Sequence, residues 1–314
     1  MHRSTVTFVC LLLLLVCSLT SCARSADLRA GHQTAAPIGT PRPADDLEDA
    51  DGPDTAIVLP ASVNIMRDIA YGPDAAQRMD VYLPEHPTAA PVILMVHGGG
   101  WRRGDKAMGS VVTNKVARWL PEGYVVISVN YRLAPQAGPL EQSEDVALAL
   151  AFAQSKAASW GADPARFVLM GHSAGAHLVA LLAADPTIAT RQHAQPWLGT
   201  VPLDSAAFDV VQIMQHPHLP LYDPIFKNDP ALWRAASPQH RLTHAPAPML
   251  IVCSSKRRDA CPQAQAFADA ATTLGGNVAV LPVDLTHREV NLTLGQDSAY
   301  TDSVASFLRS LGLP

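Results

Sequence analysis

The sequence predicts an α/β fold in which helices cover both faces of a mostly parallel sheet. Short apolar runs that are typical of buried strands alternate along the chain with helical patterns. The runs are almost continuously apolar, as expected for strands buried on both faces. After the N-terminal segments are set aside, roughly 250 residues remain, which is enough for one domain with a sizeable core.

Seven strands are expected from runs of five to seven residues, most of them rich in Val, Ile and Leu. They lie at Arg78–Leu83, Pro91–Val96, Tyr124–Asn130, Arg166–Met170, Leu198–Leu203, Met249–Cys253 and Val278–Val283. The clearest helical pattern covers Leu140 to Ser159, and an amphipathic helix is expected from about Ser298 to Leu311. The stretch between the fifth and sixth of these strands is rich in proline.

Three segments are predicted along the chain. Residues 1–21 resemble a signal peptide, because Arg3 precedes an apolar run of about a dozen residues that is too short to span a membrane. Residues 22–60 are rich in Ala, Pro and Asp without periodicity, which predicts a flexible tether. Residues 61–314 form the predicted α/β domain.

The strongest local pattern is Gly171-His172-Ser173-Ala174-Gly175, between a predicted strand and a predicted helix. This G-x-S-x-G spacing in that setting is typical of a nucleophile elbow. The serine sits in a strained turn, and glycines two residues to either side allow the strand and the helix to approach closely. Ser173 is therefore the predicted nucleophile.

A triple glycine, Gly98-Gly99-Gly100, follows the predicted strand that ends at Val96. Glycines at a strand end let the backbone pass close to a ligand and direct N–H groups toward it, as in an oxyanion hole. The alternative is a flexible turn with no chemical role.

These motifs resemble those of α/β-hydrolase esterases, in particular the hormone-sensitive-lipase-like esterases and the bacterial esterases related to arylformamidase. The resemblance covers about residue 62 to the C-terminus. It rests on His97-Gly98-Gly99-Gly100-Trp101, Asn130-Tyr131-Arg132-Leu133-Ala134-Pro135, Asp163-Pro164 and Gly171-His172-Ser173-Ala174-Gly175. It implies an α/β-hydrolase fold, with a short cap in the Pro-rich stretch between the fifth and sixth strands, and oxyanion donors at Gly99, Gly100 and Ala174.

In this fold the order along the chain is nucleophile, acid, histidine. His287 follows the last predicted strand and is the expected general base. Asp259 follows the preceding strand and is the expected acid, although it could instead be a solvated or capping aspartate before a helix. Asp284 is a second candidate, but it lies only three residues from His287 and is less able to reach the far ring nitrogen.

The five cysteines fall into two groups. Cys10 and Cys17 lie in the signal segment, and Leu19-Thr20-Ser21-Cys22 resembles a bacterial lipoprotein signal in which Cys22 carries lipid. Ala23, rather than a retention aspartate, favours the outer over the inner membrane, while an ordinary secretory signal is the alternative. Cys253 and Cys261 remain as an even pair in an oxidising compartment and are expected to form a disulfide, unless they are two unrelated thiols.

The sequence therefore predicts a lipid-anchored serine esterase for short-acyl esters, with no cofactor and no metal. A net charge of −5 with 48% hydrophobic residues argues against nucleic-acid binding. An arylformamidase-like amide hydrolase or a peptidase would use the same residues. A non-catalytic binding protein on a hydrolase scaffold is a third interpretation. The oligomeric state is not indicated.

Overall fold

A computed structural model describes residues 57–59 and 63–314, and within them eight strands form a single sheet. The strands are β1 Asn64–Ala70, β2 Arg78–Leu83, β3 Ala90–Val96, β4 Val125–Val129, β5 Ala162–His172, β6 Gly199–Leu203, β7 Met249–Ser254 and β8 Val278–Val283. Their order across the sheet is β1-β2-β4-β3-β5-β6-β7-β8. The predicted signal segment and nearly all of the tether, Cys22 included, lie outside the described residues.

The sheet is parallel from β4 to β8, and the first two strands join it in antiparallel fashion. All seven predicted strands are present within a few residues of their expected bounds. The eighth, β1, was not predicted. It forms an edge of the sheet, and most of its residues are exposed, so it lacks the apolar run that marks the others.

Helices cover both faces of the sheet, as the alternating pattern predicts. They are α1 Gly109–Trp119, α2 Pro139–Lys156, α3 Ala174–Ala184, α4 Thr187–Arg191, α5 Val210–Gln215, α6 Asp223–Phe226, α7 Pro230–Ala235, α8 Pro238–Arg241, α9 Ala260–Thr273, α10 His287–Leu292 and α11 Ala299–Ser310. Four short helices, α5 to α8, occupy the predicted cap between β6 and β7. No helix in the described part of the chain is long and apolar enough to cross a membrane.

Two apolar cores lie on opposite faces of the sheet, because side chains alternate along each strand. In β3, Leu94 packs into the core beneath α2, α3 and α9, while Ile93 and Met95 pack into the core beneath α1, α10 and α11. Strands β3, β5, β6 and β7 lie between these two layers. The loops at their carboxyl ends meet at one edge, where ligand sites form in open parallel sheets.

Candidate active site

Ser173 occupies a tight turn between β5 and α3. Its backbone has φ +55° and ψ −115°. Residues other than glycine rarely adopt this combination, and proteins retain such strained residues mainly at functional sites. The turn is fixed by a hydrogen bond from the Ser173 N–H to the Leu203 carbonyl, at 2.9 Å. The side chain therefore stands at the start of α3, at the carboxyl edge of the sheet.

The glycines around Ser173 are required by close backbone contacts. A Cβ atom at Gly171 would lie 2.4 Å from the Gly175 carbonyl oxygen, and one at Gly175 would lie 2.3 Å from the Val96 carbonyl oxygen. Both separations are too short for any side chain. The G-x-S-x-G spacing thus lets α3 cross directly above β3 and β5.

The glycine loop after β3 lies beside Ser173. Gly99 has φ +107° and Gly100 has φ +59°, conformations that glycine adopts readily. In the described part of the chain, the N–H groups of Gly99, Gly100 and Ala174 have no hydrogen-bond acceptor. Three donors without partners beside a serine hydroxyl can receive an oxygen that develops negative charge.

His287 joins Ser173 to a carboxylate. Its Nε2 lies 2.9 Å from Ser173 Oγ, and its Nδ1 lies 2.6 Å from Oδ2 of Asp204. Since a carboxylate can only accept, Nδ1 carries the proton and Nε2 is left to accept from the serine hydroxyl. The side chain of His287 is 8% exposed and that of Asp204 is completely buried.

The acid at His287 is therefore Asp204, which corrects the expectation for Asp259. Asp204 comes directly after β6, whereas the sequence argument placed the acid after β7. Asp259 instead lies immediately before α9, where the sequence allowed for a helix-capping aspartate. Its side chain makes no capping hydrogen bond there. Asp284, the second candidate, is 89% exposed and points to Lys256. The signal for Asp204 was available, because it directly follows a predicted buried strand.

The loop after β7 does not supply the acid. It provides donors that bind the Asp204 carboxylate. The Ser254 N–H donates to Asp204 Oδ1 at 2.8 Å, and Arg257 Nη1 lies 3.0 Å from Oδ2. Burial by itself raises the pKa of Asp204, but the Arg257 charge and the hydrogen bonds from His287 and Ser254 outweigh it. The net effect holds the pKa of Asp204 well below its usual range, so this carboxylate stays ionised.

A disulfide closes the loop that carries Arg257. Cys253 and Cys261 are bonded, with their Cα atoms 5.1 Å apart. The bond ties the end of β7 to the first turn of α9. Arg257 and Ser254 are thus presented to Asp204 by a segment with little conformational freedom.

His172 braces the backbone of His287. Its Nε2 lies 2.9 Å from the His287 carbonyl oxygen, and the two rings pack with centroids 4.5 Å apart. Burial, together with the nearby His287, lowers the pKa of His172 well below its usual range. A neutral His172 can donate from Nε2 to that carbonyl and fix the start of α10.

These residues open onto a cleft of about 510 Å³. The cap contributes an apolar wall to it, formed by Leu219, Leu221 and Tyr222. Trp101, which follows the glycine loop, packs against Tyr222 with ring centroids 5.9 Å apart. The described residues contain no cluster of three or more metal-ligating side chains.

Comparison with known proteins connects this geometry to one family. The sequence model of the BD-FAE family matches residues 79–266, which run from β2 into α9. Isoprenylcysteine alpha-carbonyl methylesterase ICME of Arabidopsis thaliana is 28% identical over 278 residues, which cover 78% of this chain and 62% of that protein. Esterase LipQ of Mycobacterium tuberculosis is 29% identical over 221 residues, which cover 65% of this chain and 51% of LipQ. The chain thus spans less than two thirds of either relative.

Among solved structures, a truncated carbohydrate esterase from gut microbiota superimposes with a TM-score of 0.67. The match covers 82% of this chain and 99% of that structure at 18% identity. At this identity the likeness concerns the fold, which is that of the α/β-hydrolases.

Proposed function

The chain belongs to the BD-FAE family, and from that premise we propose that it is a serine hydrolase that cleaves carboxylic esters. The observation that carries the proposal is the continuous hydrogen-bonded series from Ser173 through His287 to Asp204. This series lies beside three N–H donors that have no acceptor in the described chain. Nucleophile, base, orienting acid and oxyanion donors are the parts that acyl transfer requires.

In the proposed first step, Ser173 Oγ forms a bond to the ester carbonyl carbon while His287 Nε2 takes the serine proton. The carbonyl oxygen becomes an oxyanion, which Gly99, Gly100 and Ala174 stabilise through their N–H groups. Asp204 holds the imidazole in the required tautomer and stabilises the imidazolium that forms. The intermediate then breaks its bond to the alcohol oxygen, which receives the proton from His287.

In the second step, water hydrolyses the acyl-serine. His287 removes a proton from the water as its oxygen attacks the acyl carbon, and it returns that proton to Ser173 Oγ as the acid leaves. The products are a carboxylic acid and the free enzyme. No further reactant is needed.

We propose short-acyl esters as the substrates. A cleft of about 510 Å³ with one short apolar wall suits a small acyl group better than a long hydrocarbon chain. A series of 4-nitrophenyl esters of increasing acyl length tests this, with kcat/KM expected to be highest for the short members. Activity that continues to rise through the long-chain members would contradict it.

The proposed reaction itself is tested with a fluorophosphonate probe on the purified protein, followed by mapping of the labelled peptide. Labelling of Ser173 is expected, and Ser173→Ala should abolish it and lower kcat by several orders of magnitude. A fall of less than tenfold would contradict the assignment. A folded protein that takes no label would favour a binding protein on a hydrolase scaffold. Assays with a formylated arylamine alongside the ester compare amide with ester cleavage.

Export and lipid attachment at Cys22 are proposed from the sequence. The Cys253–Cys261 disulfide supports this indirectly, because structural disulfides persist mainly in oxidising compartments. In a bacterial host, labelled fatty acid should enter the protein, and the protein should fractionate with the outer membrane. Cys22→Ser should abolish the labelling while leaving esterase activity unchanged. If Cys22→Ser were labelled as strongly as the unchanged protein, the lipid would be attached to another residue.

A further inference from the structure

One buried imidazole, that of His177, joins three elements around the cleft. His177 lies on α3, one helical turn beyond Ser173, and its backbone N–H donates to the Ser173 carbonyl at 3.1 Å. Its Nδ1 lies 3.2 Å from Nε1 of Trp101, which follows the glycine loop. Its Nε2 lies 2.7 Å from the carbonyl oxygen of Ala236, which follows α7 in the cap. The ring therefore connects the helix of the nucleophile to the glycine loop and to the cap.

The two hydrogen bonds of the His177 ring have a fixed direction. A carbonyl oxygen can only accept, so Nε2 carries the proton and donates to Ala236. Nδ1 is then left to accept from the indole N–H of Trp101. Both bonds together require a neutral ring, and burial lowers the pKa of His177 to about 4. At neutral pH a single uncharged tautomer thus satisfies both partners.

Trp101 anchors the end of the glycine loop. It follows Gly100 directly, and its backbone has φ +61°, a conformation that a residue with a large side chain keeps only when its surroundings enforce it. Its carbonyl accepts hydrogen bonds from the Ala134 N–H and from Gln142 Nε2, both at 2.9 Å. Its side chain is buried, so the indole N–H needs an acceptor, and His177 provides it. The hydrogen bond to His177 thus fixes the indole side of this anchor to α3.

The proposed oxyanion donors come from two separate elements. Gly99 and Gly100 belong to the loop, whereas Ala174 begins α3. Glycine has more backbone freedom than any other residue, so the positions of the loop donors depend on what holds the end of the loop. Resting on the proposed esterase function, we propose that His177 is a positioning residue that holds the loop donors beside Ala174 through its hydrogen bond to Trp101. His177 is completely buried, so it acts through the loop and not on the substrate itself.

The test removes this hydrogen bond from either side in the full-length protein. Trp101→Phe keeps an aromatic ring without the N–H, and His177→Leu replaces the imidazole with an apolar side chain of similar size. The oxyanion forms only as the serine attacks, so displaced donors should lower kcat and leave KM nearly unchanged. With 4-nitrophenyl butyrate, and with the rate of Ser173→Ala subtracted, we expect kcat to fall about tenfold in each variant, a factor equivalent to about 1.4 kcal/mol. Trp101→Phe is the milder change and tests the proposal by itself if His177→Leu does not fold.

The double variant Trp101→Phe/His177→Leu shows whether the two residues act through their shared hydrogen bond. If they do, the second substitution has no bond left to remove, and kcat falls about tenfold in total. A fall of about a hundredfold would mean that the two residues act independently, and would overturn the proposal. His177→Gln is the conservative variant, because its amide oxygen can accept from Trp101 while its N–H donates to Ala236. It should recover most of the kcat that His177→Leu loses.

Trp197→Phe is the matched control. Trp197 is also buried, and its Nε1 donates to Thr200 Oγ1 at 2.8 Å, at the amino end of β6 and so at the opposite edge of the sheet from Ser173. This variant loses the same kind of hydrogen bond and should lose stability in urea while keeping its kcat. Normal kcat in folded Trp101→Phe and His177→Leu, or an equal loss of kcat in Trp197→Phe, would overturn the proposal. Ser173-dependent turnover by the unchanged protein would then leave the esterase function intact, whereas its absence would contradict that function itself.

Discussion

Replacing Asp204 with asparagine is the most direct test of the hydrogen-bonded series. Asparagine keeps the size of the side chain but removes the charge that faces His287 Nδ1 at 2.6 Å. We expect kcat for a short-acyl ester to fall by about a thousandfold. Asp259→Asn and Asp284→Asn are matched controls that change the other two candidate acids, and each should retain nearly full activity.

The magnitude follows from the charge that His287 gains in the transition state. The imidazolium and the Asp204 carboxylate have charge centres about 4 Å apart, and at an effective dielectric of about 20 their attraction is about 4 kcal/mol. Each 1.36 kcal/mol corresponds to about a factor of ten in rate, so losing the attraction slows the reaction by about three powers of ten. The wrong histidine tautomer, which an asparagine amide can favour, adds to the loss.

The assay is steady-state hydrolysis of 4-nitrophenyl butyrate, with circular dichroism and urea denaturation confirming that each variant is folded. Asp204→Asn leaves Arg257 facing a neutral amide, which can destabilise the fold by itself. The double variant Asp204→Asn/Arg257→Met removes both charges and should be as inactive as the single variant. A folded Asp204→Asn protein with more than a tenth of the normal kcat would refute the reasoning, and loss of activity in Asp259→Asn would restore the acid predicted from the sequence.

Three further predictions concern stability. Cys253→Ala/Cys261→Ala should lower the free energy of unfolding in urea by about 2–3 kcal/mol, because the short loop is no longer closed in the unfolded chain; an unchanged midpoint would contradict this. Burial lowers the pKa of His177 to about 4, so stability present above about pH 6.5 should be lost as pH falls toward 4, by up to about 3 kcal/mol. His177→Gln should reduce this loss of stability at acid pH, and an equal loss in the two proteins would contradict the role of His177. Burial lowers the pKa of Lys115 to about 7, so the unfolded state binds more protons above that pH and stability should rise from about pH 7 to 10. Lys115→Met should show no such rise when both proteins are unfolded in urea across that range.

The strands could be predicted because each is marked by its own residues. An apolar run such as that of β3 indicates a strand buried on both faces of the sheet, and it can be recognised from those residues alone. The edge strand β1 carries no such mark, since an edge is defined by the absence of a neighbour, which no local pattern records. Ser173 and the glycine loop were likewise predictable, because the close contacts of Gly171 and Gly175 arise within a few residues of the serine or from the adjacent strand.

The acid could not be predicted from a local pattern, because the carboxylate that contacts His287 is determined by proximity in the folded chain. The loops after β6 and β7 leave neighbouring parallel strands, whose axes lie about 4.8 Å apart, so a carboxylate on either can approach His287. The Asp204 N–H donates to the Val252 carbonyl at 2.8 Å, which fixes the turn after β6 against β7. A carboxylate buried there requires donors, and the loop after β7 provides them through Ser254 and Arg257. A basic loop after β7 thus complements an acid after β6, and reading the two loops together rather than singly would have indicated Asp204.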